Sequence, residues 1–90
     1  MSFTTISVIG LGYIGLPTAA AFASRQKHVI GVDVNQHAVD TINRGEIHIV
    51  EPDLGAVVKT AVENGFLRAT TTPVDADAFL IAVPTPFKGE

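Results

Sequence analysis

The sequence predicts an α/β domain with a parallel β-sheet, and two features of its 90 residues carry that prediction. Apolar segments of strand length alternate with segments of helical periodicity, in the order β-α-β-α-α-β-β. The last apolar segment, AFLIAV at 78–83, is apolar on both faces, as is typical of strands in a parallel sheet covered on both sides. The pattern predicts a doubly wound sheet of about four strands in the order 3-2-1-4, with three helices.

The first half of the chain is predicted to form a strand, a turn, a helix and a second strand. The strand Thr4–Ile9 leads into a glycine-rich turn, Gly10–Gly15, and the helix Ile14–Arg25 follows. Pro17 lies near the first turn of that helix, where a missing N–H is tolerated. The second strand is His28–Val32.

The second half is predicted to form two helices and two strands. Asn35 is a suitable N-cap for a helix that reaches Arg44, and Gly45 ends it. Another helix begins at Pro52 and ends at Gly65. Its apolar residues recur at the spacing of a single helix face; they are Leu54, Val57, Val58, Ala61 and Val62. The remaining strands are Phe66–Thr71 and Ala78–Val83.

Composition excludes several classes of protein. The formal net charge of −3 argues against a nucleic-acid surface, which needs clustered Lys and Arg. The chain has no cysteine, which suits a cytoplasmic protein, and its three histidines lack metal-ligand spacing, so no metal site is predicted.

The uncharged segment SVIGLGYIGLPTAAAFA, residues 7–23, raises the alternative of a targeting or membrane segment. A secretory signal needs a basic region before its apolar core, and residues 1–5 carry no charge. Glycine, proline, serine and threonine interrupt the stretch, which argues against a membrane span. The small residues AFAS resemble a cleavage site, so targeting stays the weaker alternative.

The glycines of this segment form the motif G-x-G-x-x-G between a strand and a helix. Gly10 permits a tight turn, Gly12 leaves its backbone open to a pyrophosphate, and Gly15 lets the helix pack on the strand. Asp33 ends the second strand about 20 residues further on, where an acid hydrogen-bonds the adenosine ribose. Because a carboxylate there would repel a 2′-phosphate, the predicted cofactor is NAD rather than NADP.

Three other interpretations compete with this one. The motif could be an ordinary glycine turn followed by a capping aspartate. Methyltransferases also place a glycine-rich loop after their first strand, but that loop is looser and lacks the third glycine. A non-catalytic NAD-sensing module is harder to separate from an enzyme, because these residues show binding chemistry alone.

The resemblance to a known family rests on several segments together. The glycine loop is followed by Leu16-Pro17, the pair Glu51-Pro52 opens the third helix, and Val83-Pro84-Thr85-Pro86 ends the fourth strand. With these features the whole chain resembles the N-terminus of the UDP-glucose/GDP-mannose dehydrogenase family.

That resemblance implies an oxidation of a sugar C6 alcohol to a carboxylate with two NAD, on a UDP-sugar bound outside this chain. The nucleophilic cysteine that it implies would also lie downstream, and the complete enzyme would be a homodimer. For the cofactor it implies that the backbone of Tyr13 and Ile14 meets the pyrophosphate, that Asp33 holds the ribose and that Thr85 lies near the cofactor. The family often has a basic residue soon after the acid, whereas Asn35–Ala38 contain no Lys or Arg.

Residues 1–90 are therefore expected to be the N-terminal part of an NAD-binding Rossmann domain, a truncated half without the remainder of the enzyme. Such a fragment is expected to be inactive alone. Its fourth strand would be an exposed apolar edge, and exposed edges pair with other chains. The fragment is therefore expected to self-associate.

Overall fold

The computed structural model describes residues 5–49, 51 and 53–82. In chain order its elements are β1 (Thr5–Ile9), α1 (Gly15–Ser24), β2 (His28–Val32), α2 (Gln36–Asn43), α3 (Leu54–Glu63), β3 (Leu67–Thr70) and β4 (Ala78–Ile81). The predicted order of strands and helices is confirmed. Strand β3 is one residue shorter at each end than the sequence predicts, and Pro52 and Val83 lie outside the described residues.

The four strands form one parallel sheet in the order β3-β2-β1-β4, as predicted. Across the sheet Ile6 of β1 is level with Val29 of β2 and with Ala78 of β4, and Val29 is level with Leu67 of β3. All four strands therefore end at the same edge. Ligands of doubly wound sheets bind at this carboxyl edge.

The core lies between one face of the sheet and all three helices. A single buried cluster joins alternate strand residues such as Ile6, Val8 and Val29 to apolar residues of α1, α2 and α3. From β1 to β2 and from β2 to β3 the chain moves in one direction across the sheet, toward the β3 edge. Both right-handed crossovers therefore lie on the same face. From β3 to β4 the chain moves back across the sheet, so the same rule predicts that residues 71–77 cross the opposite face.

The structure confirms the predicted ends of α2 and the C-terminal end of α3. The side chain of Asn35 accepts the N–H groups of His37 and Ala38 at the start of α2. Gly45 and Gly65 follow the C-caps of α2 and α3 with φ angles of 80° and 81°, values that favour glycine at a helix end.

Helix α1 is one residue shorter at each end than predicted. Helix α3 begins at Leu54 rather than at Pro52, because its N-cap, Asp53, has a left-handed φ angle of 67° that a helix cannot include.

The apolar face of α3 is narrower than the sequence predicts. Leu54, Val58 and Ala61 are buried, but Val57 is 36% exposed and Val62 is half-buried. Both exceptions lie at the margins of the apolar arc, where a helix on a sheet meets solvent. None of the helices in the described residues has the length and apolar character of a membrane span.

The two edges of the sheet differ. At the β3 edge the Asn43 amide donates to the carbonyl oxygen of Ala69 and accepts its N–H, both at 2.9 Å. A side chain thus takes the place of a further strand at that residue. At the β4 edge Phe79 and Ile81 are 53% and 73% exposed, so the fourth strand is the exposed apolar edge that the sequence predicts.

Candidate cofactor site

The glycine-rich turn joins β1 to α1 at the carboxyl edge of the sheet. Gly10 has a φ angle of 98°, a left-handed value that favours glycine. Its N–H donates to the carbonyl oxygen of Val32 at 2.7 Å, which ties the turn to β2. A Cβ on Gly15 would collide with the carbonyl oxygen of Gly10. Helix α1 can therefore lie against the turn because Gly15 has no side chain.

Gly12 leaves open space at the start of α1. Apart from its two neighbours in the chain, no residue has a heavy atom within 4 Å of the point where its Cβ would project. The N–H of Leu16 donates to the carbonyl oxygen of Gly12 at 3.0 Å, so the N–H groups of residues 12–15 precede the hydrogen-bond ladder of the helix. The N-cap residue, Ile14, gives no side-chain hydrogen bond. These backbone donors and the helix dipole suit an anionic group.

The side chains of Tyr13 and Ile14 lie in the open, each 66% exposed. With Gly12 and Ala82 they line an apolar cavity of about 170 Å³. Ala82 follows β4, and its N–H donates to the carbonyl oxygen of Ile9 at 2.7 Å. The cavity therefore lies beside the ends of β1 and β4, where the strand order reverses and where doubly wound sheets bind ligands.

Asp33 lies directly after β2, half-buried beside the glycine turn. Its Oδ2 accepts the N–H of Leu11 at 2.9 Å, and its Oδ1 accepts the N–H of Asn35 at the same distance. Its own N–H donates to the carbonyl oxygen of Thr70 at 3.1 Å. Each carboxylate oxygen has two acceptor positions, so both oxygens keep capacity for a ligand hydroxyl.

These residues fit the two parts of NAD that the sequence predicts they meet, the pyrophosphate and the adenosine ribose. The space over Gly12 and the backbone donors of residues 12–15 would take the pyrophosphate, and the Asp33 carboxylate would take the adenosine ribose hydroxyls. The Asn35 side chain is occupied as the cap of α2 and adds no basic group. Thr85 lies outside the described residues.

A larger cavity lies elsewhere. A groove of about 350 Å³ runs between the C-terminal half of α1 and α3, beside Ala23, Val57 and Phe66. Its polar lining residues, among them Thr60 and Asn64, are uncharged, so the groove has no positive charge to attract a phosphate. The candidate site lies outside the carboxyl ends of the strands. Doubly wound sheets bind dinucleotides there rather than in an enclosed cavity.

Two residues of the site were not predicted from the sequence. Leu11, the variable residue of the first G-x-G, is 1% exposed and packs over Gly31 of β2. A Cβ on Gly31 would lie 2.6 Å from Cδ2 and 2.8 Å from Cδ1 of Leu11. An isolated glycine inside an apolar strand is a recognised sign of close approach by other atoms, so Gly31 carried a signal in the sequence.

Comparison with known proteins identifies the family. Residues 4–90 match the family model described as "UDP-glucose/GDP-mannose dehydrogenase family, NAD binding domain". Over all 90 residues the chain is 89% identical to UDP-N-acetyl-D-mannosamine dehydrogenase of Escherichia coli K12 and 90% identical to that of Salmonella typhi. Each match covers 100% of this chain and 21% of the relative, so the chain spans about a fifth of their length.

Solved structures agree with the sequence relatives. The UDP-N-acetyl-mannosamine dehydrogenase of Staphylococcus aureus superposes with a TM-score of 0.91 at 45% identity, covering 97% of this chain and 21% of that one. A ternary complex of GDP-mannose dehydrogenase from Pseudomonas aeruginosa has a TM-score of 0.88 at 41% identity, covering 92% and 20%. This chain belongs to the UDP-glucose/GDP-mannose dehydrogenase family and lies within its NAD-binding domain.

Proposed function

We propose that this chain is the N-terminal part of the NAD-binding domain of a UDP-N-acetyl-D-mannosamine 6-dehydrogenase. The observation that carries the cofactor assignment is the Asp33 carboxylate beside an open glycine turn at the carboxyl edge of the sheet. The sugar assignment rests on identity, which is 89–90% to UDP-N-acetyl-D-mannosamine dehydrogenases. Identity is lower, 74% over 87 residues, to the NDP-N-acetyl-D-galactosaminuronic acid dehydrogenase of Ralstonia nicotianae.

The chain contributes binding rather than bond chemistry to this reaction. NAD supplies the hydride acceptor for oxidation of the sugar C6 alcohol to a carboxylate. The N–H groups of residues 12–15 would hold its pyrophosphate, and the Asp33 carboxylate would hold the adenosine ribose. The side chains of Tyr13 and Ile14 are exposed beside the turn and would flank the cofactor. The chain contains no cysteine, so the nucleophilic cysteine that the family resemblance implies would lie outside these 90 residues. We place the UDP-sugar site outside them as well.

Titration with NAD and NADP tests the cofactor assignment. We expect NAD to shift the backbone amide resonances of Gly12, Gly15 and Asp33 in the isotopically labelled chain, and NADP to shift them much less. The amide of Val29, at the opposite end of β2, is the internal control. Equal shifts with both nucleotides would contradict the role of Asp33, and an unresponsive turn would contradict this site.

Oxidation of UDP-N-acetyl-D-mannosamine by the longer protein that contains this chain tests the sugar assignment. We expect NADH absorbance to rise by two equivalents per sugar consumed. UDP-glucose is the control, and faster turnover of that substrate would contradict the assignment. We place the reaction in the cytoplasm, which suits a chain without cysteine.

We further propose that the 90-residue chain self-associates through β4, and that the complete enzyme is a homodimer. The exposed Phe79 and Ile81 support pairing of β4 with the β4 of a second copy about a two-fold axis. Asn43 blocks the other edge of the sheet at Ala69, which favours a closed dimer over a chain of copies.

Sedimentation at increasing concentration tests this pairing. We expect the wild-type chain to dimerise and Ile81→Lys to sediment as a monomer, because a lysine on an edge strand opposes strand addition. Val57→Lys is the matched control, because Val57 is also exposed and apolar but lies on α3. A wild-type chain that stays monomeric, or equal dimerisation of both variants, would refute pairing through β4.

A further inference from the structure

The Asp33 carboxylate is already a hydrogen-bond acceptor within the chain. Its Oδ2 accepts the N–H of Leu11, a residue 22 positions earlier in the middle of the glycine turn, at 2.9 Å. Its Oδ1 accepts the N–H of Asn35 at 2.9 Å. Hydrogen bonds to an ionised acceptor are stronger than those between neutral groups. Asp33 therefore joins three segments, namely the turn, the end of β2 and the start of α2.

Two further contacts hold the same turn on β2. The N–H of Gly10 donates to the carbonyl oxygen of Val32 at 2.7 Å. The Leu11 side chain is 1% exposed and occupies the space that the missing Cβ of Gly31 leaves. The three contacts are made to Gly31 and Val32, the last residues of β2, and to Asp33, which follows them. The turn is thus fixed immediately before Gly12, where the open backbone begins.

We infer that Asp33 is a positioning residue for the pyrophosphate-binding turn, in addition to its proposed contact with the ribose. This inference rests on the proposed NAD site. Backbone donors bind an anion best when their direction is set beforehand, because ordering a loop on binding costs affinity. The bond from Leu11 N–H to Asp33 sets the direction of the chain entering Gly12, so the acid organises donors that bind a different part of the cofactor.

The affinity for inorganic pyrophosphate distinguishes a positioning role of Asp33 from a purely electrostatic effect of its charge, because the two predict opposite changes. If Asp33 acted on an anion through its charge alone, Asp33→Ala would remove a repulsion and tighten the binding of inorganic pyrophosphate. If Asp33 positions the turn, the same variant weakens pyrophosphate binding, although pyrophosphate has no ribose to contact residue 33. Asp40→Ala is the matched control, because Asp40 is an exposed acid on α2 whose carboxylate accepts a hydrogen bond from the Gln36 side chain.

Hydrogen exchange provides a measurement that needs no ligand. An asparagine has one accepting oxygen and can keep at most one of the two bonds that Asp33 accepts, and Asp33→Ala keeps neither. We expect the Leu11 amide to exchange at least about tenfold faster in Asp33→Ala, the factor that corresponds to losing a bond to a charged acceptor. The amide of Val29, bonded to the carbonyl oxygen of Phe66 at 2.8 Å, reports whether the fold is intact.

The combined results separate the two proposals. Faster Leu11 exchange with an unchanged Val29 amide, together with weaker pyrophosphate binding by Asp33→Ala than by Asp40→Ala, supports the inference. Unchanged Leu11 exchange in Asp33→Ala, or tighter pyrophosphate binding by the same variant, overturns it while leaving the NAD site in place. A wild-type chain whose turn responds to neither NAD nor pyrophosphate overturns the proposed site and this inference with it.

Discussion

The contact between Leu11 and Gly31 predicts a specific loss of stability in Gly31→Ala. The added Cβ would lie 2.6, 2.8 and 3.2 Å from Cδ2, Cδ1 and Cγ of Leu11, whereas carbon atoms pack best at about 3.5–4.0 Å. Leu11 must therefore move by about 1 Å, and at 1% exposure it is enclosed by the core. Overpacking of this kind costs about 1–3 kcal/mol.

The alanine also has a smaller opposing effect. It lowers the backbone entropy of the unfolded chain, which favours folding by about 0.5–1 kcal/mol. We therefore expect a net loss of about 1–2 kcal/mol in the free energy of unfolding, because the overpacking outweighs the gain in entropy. This corresponds to a fall of roughly 5–15 °C in Tm for a domain of this size. Urea denaturation followed by circular dichroism measures the change.

A double-mutant cycle shows whether Leu11 is the cause. Leu11→Ala alone should cost about 2–5 kcal/mol through the cavity it leaves. In the double variant the Gly31→Ala methyl enters that cavity, so the combined cost should fall short of the sum by about 1 kcal/mol or more. Gly55→Ala is the control, because its Cβ would meet only Ile47 Cδ1, at 3.9 Å. Additive effects, or a Gly31→Ala variant as stable as wild type, would refute the reasoning.

Three further substitutions test other contacts. Gly12→Ala should leave Tm unchanged, since its Cβ enters open space, but should lower NAD affinity in the amide titration. Gly15→Ala should lower both Tm and NAD affinity, because its Cβ collides with the carbonyl oxygen of Gly10. Asn43→Ala removes both bonds to Ala69 and uncovers the β3 edge. We expect a loss of about 1 kcal/mol in urea denaturation and assemblies larger than a dimer by sedimentation; wild-type stability, or a species no larger than the wild-type dimer, would contradict this role of Asn43. Asn35→Ala should cost about 1 kcal/mol through the lost cap, and an unchanged urea midpoint would show that the cap contributes nothing.

Local chemistry explains why most of the fold could be predicted from the sequence. The strands β1 and β2, the Asn35 cap and the glycine ends of α2 and α3 all depend on residues adjacent in the chain. The strand order followed from the motif, because a glycine turn after the first strand and an acid after the second are typical of this parallel sheet. The apolar face of α3 was predicted to be wider than it is, because periodicity does not show which residues at its margins are exposed to solvent.

The sequence by itself determined the elements, their order and the identity of the candidate site, because glycine conformation, capping and apolar periodicity act over a few residues. The tertiary structure alone decided which residues hold that site in place. The bond from Leu11 to Asp33 and the packing of Leu11 on Gly31 join positions about 20 residues apart, and no local preference specifies them. Asn43 likewise covers the β3 edge at a residue 26 positions away, a contact that exists because the crossover of the chain brings α2 beside β3.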